Sequence, residues 1–296
     1  MNSKFKKLIC VCGVMILIGI VMTVAGIASG GATDGMKKVD ERYDFISLGY
    51  DHLNQETYNL SDIKSIDINY AYCDIRFVEG DSFRVDVTYT DDMPTPDVTT
   101  ANGTLSITEG NSGKTGSLLN MEMFGARTRW PEILVTCPRD AKLDSVSINS
   151  DYSSVILSGT VSSKTDIRSE SGDITLNGTK PGELSVTSVS GDITLLNLTT
   201  TGLNINSDNG DVVLSGTFAG NNVISSQNGD VEMDSALSME EYTINIDGFY
   251  DLEVNGSDFD YDDNIMSGIY EYVGQKATNS LTINGGGIDA ELRFAY

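Results

Sequence analysis

The stretch that decides the fold is Ser188-Val-Ser-Gly-Asp-Ile-Thr-Leu195, one of four copies of the same phrase along the chain. The other copies begin at Ser169, Ser207 and Ser226, and in each one a Gly-Asp pair follows a serine or an asparagine. The glycines of the four copies lie 19 residues apart with no insertion: Gly172, Gly191, Gly210 and Gly229. A fixed period of this length is too short for a pair of helices and indicates one turn of a stack of strands.

Each repeat contains two short runs of alternating apolar residues, which is the pattern of β-strands. In one repeat the first run carries Val186 and the second carries Ile193 and Leu195, with a turn of Ser-Gly between them. Such a turn needs a backbone with positive φ, which glycine adopts without strain. Similar alternation begins at Tyr58. The sequence therefore predicts an all-β fold, a single-stranded parallel β-solenoid of the β-helix type with 19-residue turns.

The N-terminus carries a membrane signal that allows two interpretations. Leu8 to Ala28 is a run of 21 residues without a charge, preceded by Lys4, Lys6 and Lys7. This length matches a transmembrane helix, and the lysines predict that the N-terminus stays in the cytoplasm. The alternative is a signal peptide cleaved after Gly26-Ile-Ala28, although the apolar run is longer than such peptides usually have. We therefore predict a single-pass protein of the cell membrane with an extracytoplasmic C-terminal domain.

This interpretation divides the chain into four parts. They are a cytoplasmic N-terminus over 1–7, a transmembrane helix over 8–28, a tether over 29–57, and the adhesin-like solenoid domain over 58–296. Inside the last part, residues 111–130 break the alternation and predict an insertion.

Composition limits the partners and the cysteine chemistry. The formal net charge of −24 disfavours nucleic acid as a partner, because phosphate and the protein would repel each other. Cys73 and Cys137 lie in the predicted exported part, where they either form a disulfide or remain two separate buried thiols. The sequence leaves both alternatives open.

The aspartates that follow the repeat glycines are the candidates for a metal site. Equivalent positions in a stack form a column, so four carboxylates should line one edge: Asp173, Asp192, Asp211 and Asp230. Carboxylates bind hard cations, but calcium-binding β-rolls also supply glycine carbonyls from a Gly-Gly-x-Gly-x-Asp pattern that this chain lacks. The favoured interpretation is that each aspartate accepts hydrogen bonds from the backbone of its corner. We predict neither a metal nor a cofactor.

An enzymatic function is not favoured by the residues. The chain has one histidine, His52, in the predicted tether, so no nucleophile and histidine pair can be built within the repeats. No phosphate-binding glycine loop or nucleotide fingerprint is present. The chain is therefore predicted not to be an enzyme, with no catalytic residues.

Several motifs together resemble a known family. Ile63-Lys-Ser-Ile-Asp-Ile68 follows the N-terminal segment, and Ile133-Leu-Val-Thr-Cys-Pro138 and Leu143-Asp-Ser-Val-Ser-Ile148 precede the serial Ser-Gly-Asp-Ile turns. In this pattern the chain resembles the "putative adhesin" family of bacterial envelope proteins and is similar to the Lia-operon accessory proteins. The resemblance implies a β-solenoid domain at a bacterial cell surface and assigns no binding residue.

Two functions are predicted from these observations. The first is a non-enzymatic interaction or scaffold protein of the cell envelope, either an adhesin or an envelope-stress accessory, whose partner is an envelope protein or a surface polymer. The alternative is a solenoid that binds or acts on a cell-surface polysaccharide. Aromatic residues stacked along the solvent face would favour the alternative.

Overall fold

A computed structural model describes residues 36–39, 42–45, 53–90, 94–110, 131–259 and 268–295. The chain divides into two compact units. Residues 1–51 and 117–129 form the first, in which the described strands β1 (Met36–Val39) and β2 (Arg42–Phe45) pair antiparallel. Residues 52–116 and 130–296 form the second, which contains the repeats.

The described part of the second unit is almost entirely β-structure, with one short 3-10 helix at Met239–Glu241. Its strands, in chain order, are β3 (Leu53–Asn59), β4 (Ser65–Asn69), β5 (Asp74–Gly80), β6 (Arg84–Thr90), β7 (Pro96–Ala101), β8 (Thr104–Glu109), β9 (Glu132–Pro138), β10 (Leu143–Ser150), β11 (Val155–Ser158), β12 (Val161–Ser171), β13 (Ile174–Asn177), β14 (Lys180–Ser190), β15 (Ile193–Asn209), β16 (Val212–Asn228), β17 (Val231–Ser238), β18 (Tyr242–Val254), β19 (Ser257–Asp258), β20 (Gly268–Val273) and β21 (Asn279–Ala295).

From β10 to β17 the chain forms successive layers, each made of two strand segments joined at a glycine or serine corner. Neighbouring layers pair in parallel, and their register is the 19-residue period of the sequence. Ile174 pairs with Ile193, which pairs with Val212. Since neighbouring strands lie about 4.8 Å apart, side chains at equivalent repeat positions recur at that distance along the stack.

The prediction of a purely parallel, single-stranded solenoid is wrong, because the sheet is mixed. At one end of the stack β6 pairs antiparallel with β9 and with β3, and β7 pairs antiparallel with β8. At the other end β18 pairs antiparallel with β19 and β20. The last layer of a parallel stack leaves a row of unpaired backbone groups. The antiparallel strands at each end of the stack pair with those groups.

The layers also do not follow chain order at the two ends. β5 pairs in parallel with both β9 and β11, so the β4–β5 layer lies between β8–β9 and β10–β11. The C-terminal strand β21 pairs on one side with β16 and β17 and on the other with β18. The last strand of the chain therefore lies inside the stack and does not form its end.

The core consists of rows of aliphatic side chains, one residue from each layer. Ile193 and Leu195 are fully buried, and Leu195 lies between Leu176 and Leu214 of the adjacent layers. Thr194, between them in the chain, is partly exposed on the opposite face of the strand. This alternation confirms the predicted inward and outward positions of β15.

The transmembrane prediction requires a correction. Among the residues described by the structure, no helix combines the length and apolar character that a membrane crossing requires. The predicted helix over 8–28 lies outside the described residues. The structure therefore gives no support to the predicted transmembrane helix or to the predicted single-pass location in the cell membrane.

The two cysteines of the second unit are separate buried thiols. Cys73 directly precedes β5, whereas Cys137 pairs with Glu79 near the other end of β5. At about 3.3 Å per residue, roughly 20 Å of strand separates them, far beyond the reach of a disulfide. Of the two alternatives left open by the sequence, the structure contains the unbridged pair.

Both thiols should resist alkylation in the folded protein. Burial raises the pKa of Cys73 and of Cys137 to about 12, so almost no reactive thiolate forms at pH 8. Peptide-resolved mass spectrometry after iodoacetamide treatment should find both cysteines unmodified without urea and modified in urea. The folded-state pKa lies above the ordinary value, so stability should fall as the pH rises from 9 towards 12. Rapid modification of the folded protein would contradict the burial.

Candidate functional site

The predicted aspartate column exists, and its carboxylates bind the backbone of the stack. The Asp192 amide donates to Asp173 Oδ1 at 3.0 Å, the Asp211 amide to Asp192 Oδ1 at 3.0 Å, and the Asp230 amide to Asp211 Oδ1 at 3.0 Å. Each of these three accepting carboxylates thus holds the corner of the following layer. The sequence favoured a hydrogen bond from the backbone of each aspartate's own corner, whereas the donor in the structure is the amide of the equivalent aspartate in the adjacent layer.

The same contact extends to the start of the stack. Asp74 Oδ1 accepts the amide of Ser154 at 3.1 Å, although these two residues are 80 positions apart in the chain. In the described ranges, the structure contains no group of three or more histidine, cysteine, aspartate or glutamate residues that could hold a metal ion. Three of the four carboxylates in the column, those of Asp173, Asp192 and Asp211, are thus each engaged with one backbone amide.

Beside this column, buried serines form hydrogen bonds across each corner. The hydroxyls of four serines each donate to the carbonyl oxygen of the glycine three residues later, at 3.2 to 3.5 Å: Ser169, Ser188, Ser207 and Ser226. These side chains are at most 3% exposed. The first serine of each repeat phrase is therefore a structural residue, a role that the sequence pattern alone did not assign.

Replacing the central carboxylates by amides should leave the fold intact. In the double variant Asp192→Asn, Asp211→Asn, the side-chain amide oxygen can accept the same backbone N–H. The electrostatic repulsion between the carboxylates of neighbouring layers decreases. We expect the free energy of unfolding to change by no more than about 0.5 kcal/mol. Urea unfolding at low and high salt measures this, and salt should stabilise the variant less than the original chain.

Calcium calorimetry on the same pair of proteins tests the alternative role of the column. We expect weak heats that do not saturate at micromolar calcium in either protein. Saturable binding at micromolar calcium that the double substitution abolishes would contradict the structural role and assign a metal site to the column.

A shallow acidic groove lies where β21 is inserted into the stack. It has a volume of about 290 Å³, and its floor contains Val231 and Ala290. Six carboxylates line it: Asp230, Glu232, Asp251, Glu253, Asp289 and Glu291. The guanidinium of Arg293 lies 2.8 Å from Glu232 and also bonds Glu291, and these hydrogen bonds raise the pKa of Arg293. Arg293 thus offsets the repulsion between glutamates that face each other across β17 and β21.

A stacked pair of tyrosines lies at the corner of the first layers. The ring centroids of Tyr72 and Tyr152 are 5.4 Å apart with an angle of 16° between the ring planes. Their side chains are 53% and 60% exposed. The sequence reasoning missed this pair because the two residues are 80 positions apart in the chain. The only signal was that Tyr152 occupies the position of Ser171 in the 19-residue register.

The fold and its corners define a repeat protein of stacked β-layers that exposes polar, in-register surface rows. The chain matches the family model of the Toastrack DUF4097 domain over residues 63–272. It therefore belongs to the Toastrack DUF4097 family, which confirms the resemblance carried by its motifs.

Similar solved structures include three bacterial proteins. A putative adhesin from Bacteroides fragilis is 12% identical with a TM-score of 0.40, over 83% of this chain and 98% of that chain. A putative cell adhesion protein from Clostridium sporogenes is 12% identical with a TM-score of 0.36, over 82% of this chain and 100% of that one. A putative lipid binding protein from Parabacteroides distasonis is 13% identical with a TM-score of 0.35, over 82% and 97%. No curated protein matches the chain.

Proposed function

We propose that this chain is a non-enzymatic interaction protein that presents its stacked layers as a scaffold to an extended partner. The observation that carries the proposal is an outward row with one residue from each of seven consecutive layers. Its members, paired in register on parallel strands, are Asn69, Asn149, Arg168, Thr187, Asn206, Ser225 and Asn284. Six steps of about 4.8 Å give the row a length of roughly 30 Å.

A row of this kind suits an extended partner better than a small substrate. Its side chains offer both donors and acceptors at a regular spacing, and most of them are solvent-exposed. Solenoids bind through such extended surfaces, since each layer adds one more set of equivalent contacts. The partner that we propose is an envelope protein or a surface polymer.

The geometry of the aspartate column supports a non-enzymatic role. A general acid or base must reach a substrate proton, whereas Asp173, Asp192 and Asp211 each already accept a backbone amide. The repeated corner residues therefore have a structural use. The polysaccharide-active form of the alternative would require a pair of carboxylates placed for catalysis on a glycosidic bond. The polysaccharide-binding form is favoured by exposed stacked aromatic residues, and the Tyr72–Tyr152 pair is one such stack, so a glycan is the rival partner.

Photo-cross-linking in producing cells tests the scaffold role. A photoreactive phenylalanine analogue would replace Asn149, Asn206 or Asn284 in the full-length chain, with Thr199, which is exposed on another segment of β15, as the control. We expect the same adduct from all three row positions and none from Thr199. Adducts at no row position, or at Thr199 equally, would contradict an extended partner along this row. Release of new reducing ends from cell-surface polysaccharide by the purified chain would contradict the non-enzymatic role.

A further inference from the structure

The tyrosine pair is an exposed aromatic surface that the core does not require. In the four layers that follow, the corresponding corner residues are small and polar: Ser171, Ser190, Asn209 and Asn228. Neither the Tyr72 nor the Tyr152 hydroxyl makes a hydrogen bond to any residue that the structure describes. A contiguous pair of large exposed rings is typical of a binding surface, where tyrosine is enriched among the residues that dominate affinity.

One ring face of this pair is open. Tyr72 lies between β4 and β5, and Tyr152 lies between β10 and β11 of the adjacent layer. Because the rings are nearly parallel, Tyr72 covers one face of Tyr152 and the other face is directed towards the next layer. That layer has Ser171 and Gly172 at this corner, which are too small to cover the ring. The 60% exposure of Tyr152 agrees with an uncovered face.

The strand register places two carboxylate residues at positions next to the tyrosine pair. Ser150 pairs with Ser169, so the register places Asp151 beside Glu170, each one residue before a corner residue of its layer. Glu170 is exposed, and neither side chain forms an ion pair with any residue in the described ranges. We name Tyr72, Tyr152, Asp151 and Glu170 together the aromatic corner. An aromatic face with unpaired carboxylates beside it is complementary to a cation.

We propose that the aromatic corner binds an arginine side chain of the partner, an inference that rests on the proposed scaffold function and specifies its partner as a basic, extended protein segment. The planar guanidinium stacks on the open face of Tyr152 while its N–H groups donate to Glu170. Lysine can approach the ring but lacks the flat fork that satisfies both contacts together. The net charge of −24 attracts such a segment from a distance.

Calorimetric titration of the full-length chain with a tetra-arginine peptide tests this proposal, with tetra-lysine and chitotetraose as comparison probes. We expect tetra-arginine to bind more tightly than tetra-lysine and chitotetraose to give no binding. Tyr152→Ala should weaken tetra-arginine binding by about threefold, the effect of one exposed cation–π contact. Glu170→Gln should weaken it by a similar factor, and Tyr152→Phe should retain it because the ring face remains.

Two control variants distinguish binding at the aromatic corner from attraction by the overall negative charge of the chain. Asp247→Asn removes one exposed carboxylate from β18, and Tyr250→Ala removes an exposed tyrosine from the same strand. Both should leave tetra-arginine affinity within about twofold, since surface charges a Debye length away are screened. The proposal is overturned if Asp247→Asn weakens binding as much as Glu170→Gln while Tyr152→Ala does nothing, or if tetra-arginine does not bind.

Three further results would separate this inference from the scaffold function. Chitotetraose binding that Tyr152→Ala abolishes would assign the corner to a glycan and overturn the arginine proposal. If the cross-links at Asn149, Asn206 and Asn284 persist in a Tyr152→Ala, Glu170→Gln chain that has lost its arginine preference, both proposals stand. If the cross-links form but Tyr152→Ala leaves tetra-arginine affinity unchanged, the scaffold function stands and the arginine proposal fails.

Discussion

Gly191→Ala should destabilise the stack strongly, because the position combines an unusual backbone with a neighbour at close range. The φ angle of Gly191 is +125°, a conformation that side chains with a β-carbon rarely adopt, and strain of this kind costs about 1–3 kcal/mol. A β-carbon there would also lie 2.5 Å from the carbonyl oxygen of Gly172 in the adjacent layer. Since that atom belongs to backbone paired in the stack, it cannot move aside without separating two layers.

Gly178→Ala is the matched control. Gly178 also has a positive φ, +64°, but a β-carbon there meets no atom within 4 Å. It should therefore show only the backbone cost, about 1–2 kcal/mol. The two free energies of unfolding, measured in urea on the full-length chain, should differ clearly, with Gly191→Ala the less stable. Equal losses would contradict the close approach of layers at the Gly191 corner.

Leu195→Ala should cost about 2–5 kcal/mol, the usual range for truncating a fully buried leucine. Its side chain lies between Leu176 and Leu214, so the cavity is enclosed by the layers on both sides. Paired strands hold those layers in place, and the neighbouring leucines cannot fill the space by a local shift. Urea unfolding monitored by circular dichroism measures the loss.

Thr194→Ala, at the next position along the same strand, controls for the loss of β-propensity. Its side chain is on the outward face, so we expect a change within about 0.5 kcal/mol. A larger loss of unfolding free energy for Thr194→Ala than for Leu195→Ala would mean that Thr194 faces the core and Leu195 faces solvent, the reverse of the assignment made here.

The candidate sites differ in how far the sequence could predict them. The aspartate column was predicted residue by residue because its members occupy the same place in consecutive repeats. The hydrogen bond from the Asp192 amide to Asp173 depends on the distance between two layers, which only the structure supplies. The aromatic corner could not be predicted, since Tyr72 and Tyr152 come from layers separated by 80 residues of chain, and Tyr72 lies outside the 19-residue repeats.

The sequence by itself determined the register, the corners and the inward rows from β12 to β17. Each of these features depends on residues within one repeat. Because the repeats have equal length, Ile174 lies beside Ile193 independently of how the rest of the chain folds. Only the tertiary structure decided which distant strands join the stack and where it ends. The alternating residues of β4, β8 and β21 would suit almost any layer, so local pattern cannot order them. Their positions follow from burying every apolar row and pairing every exposed strand edge, which are requirements of the whole domain.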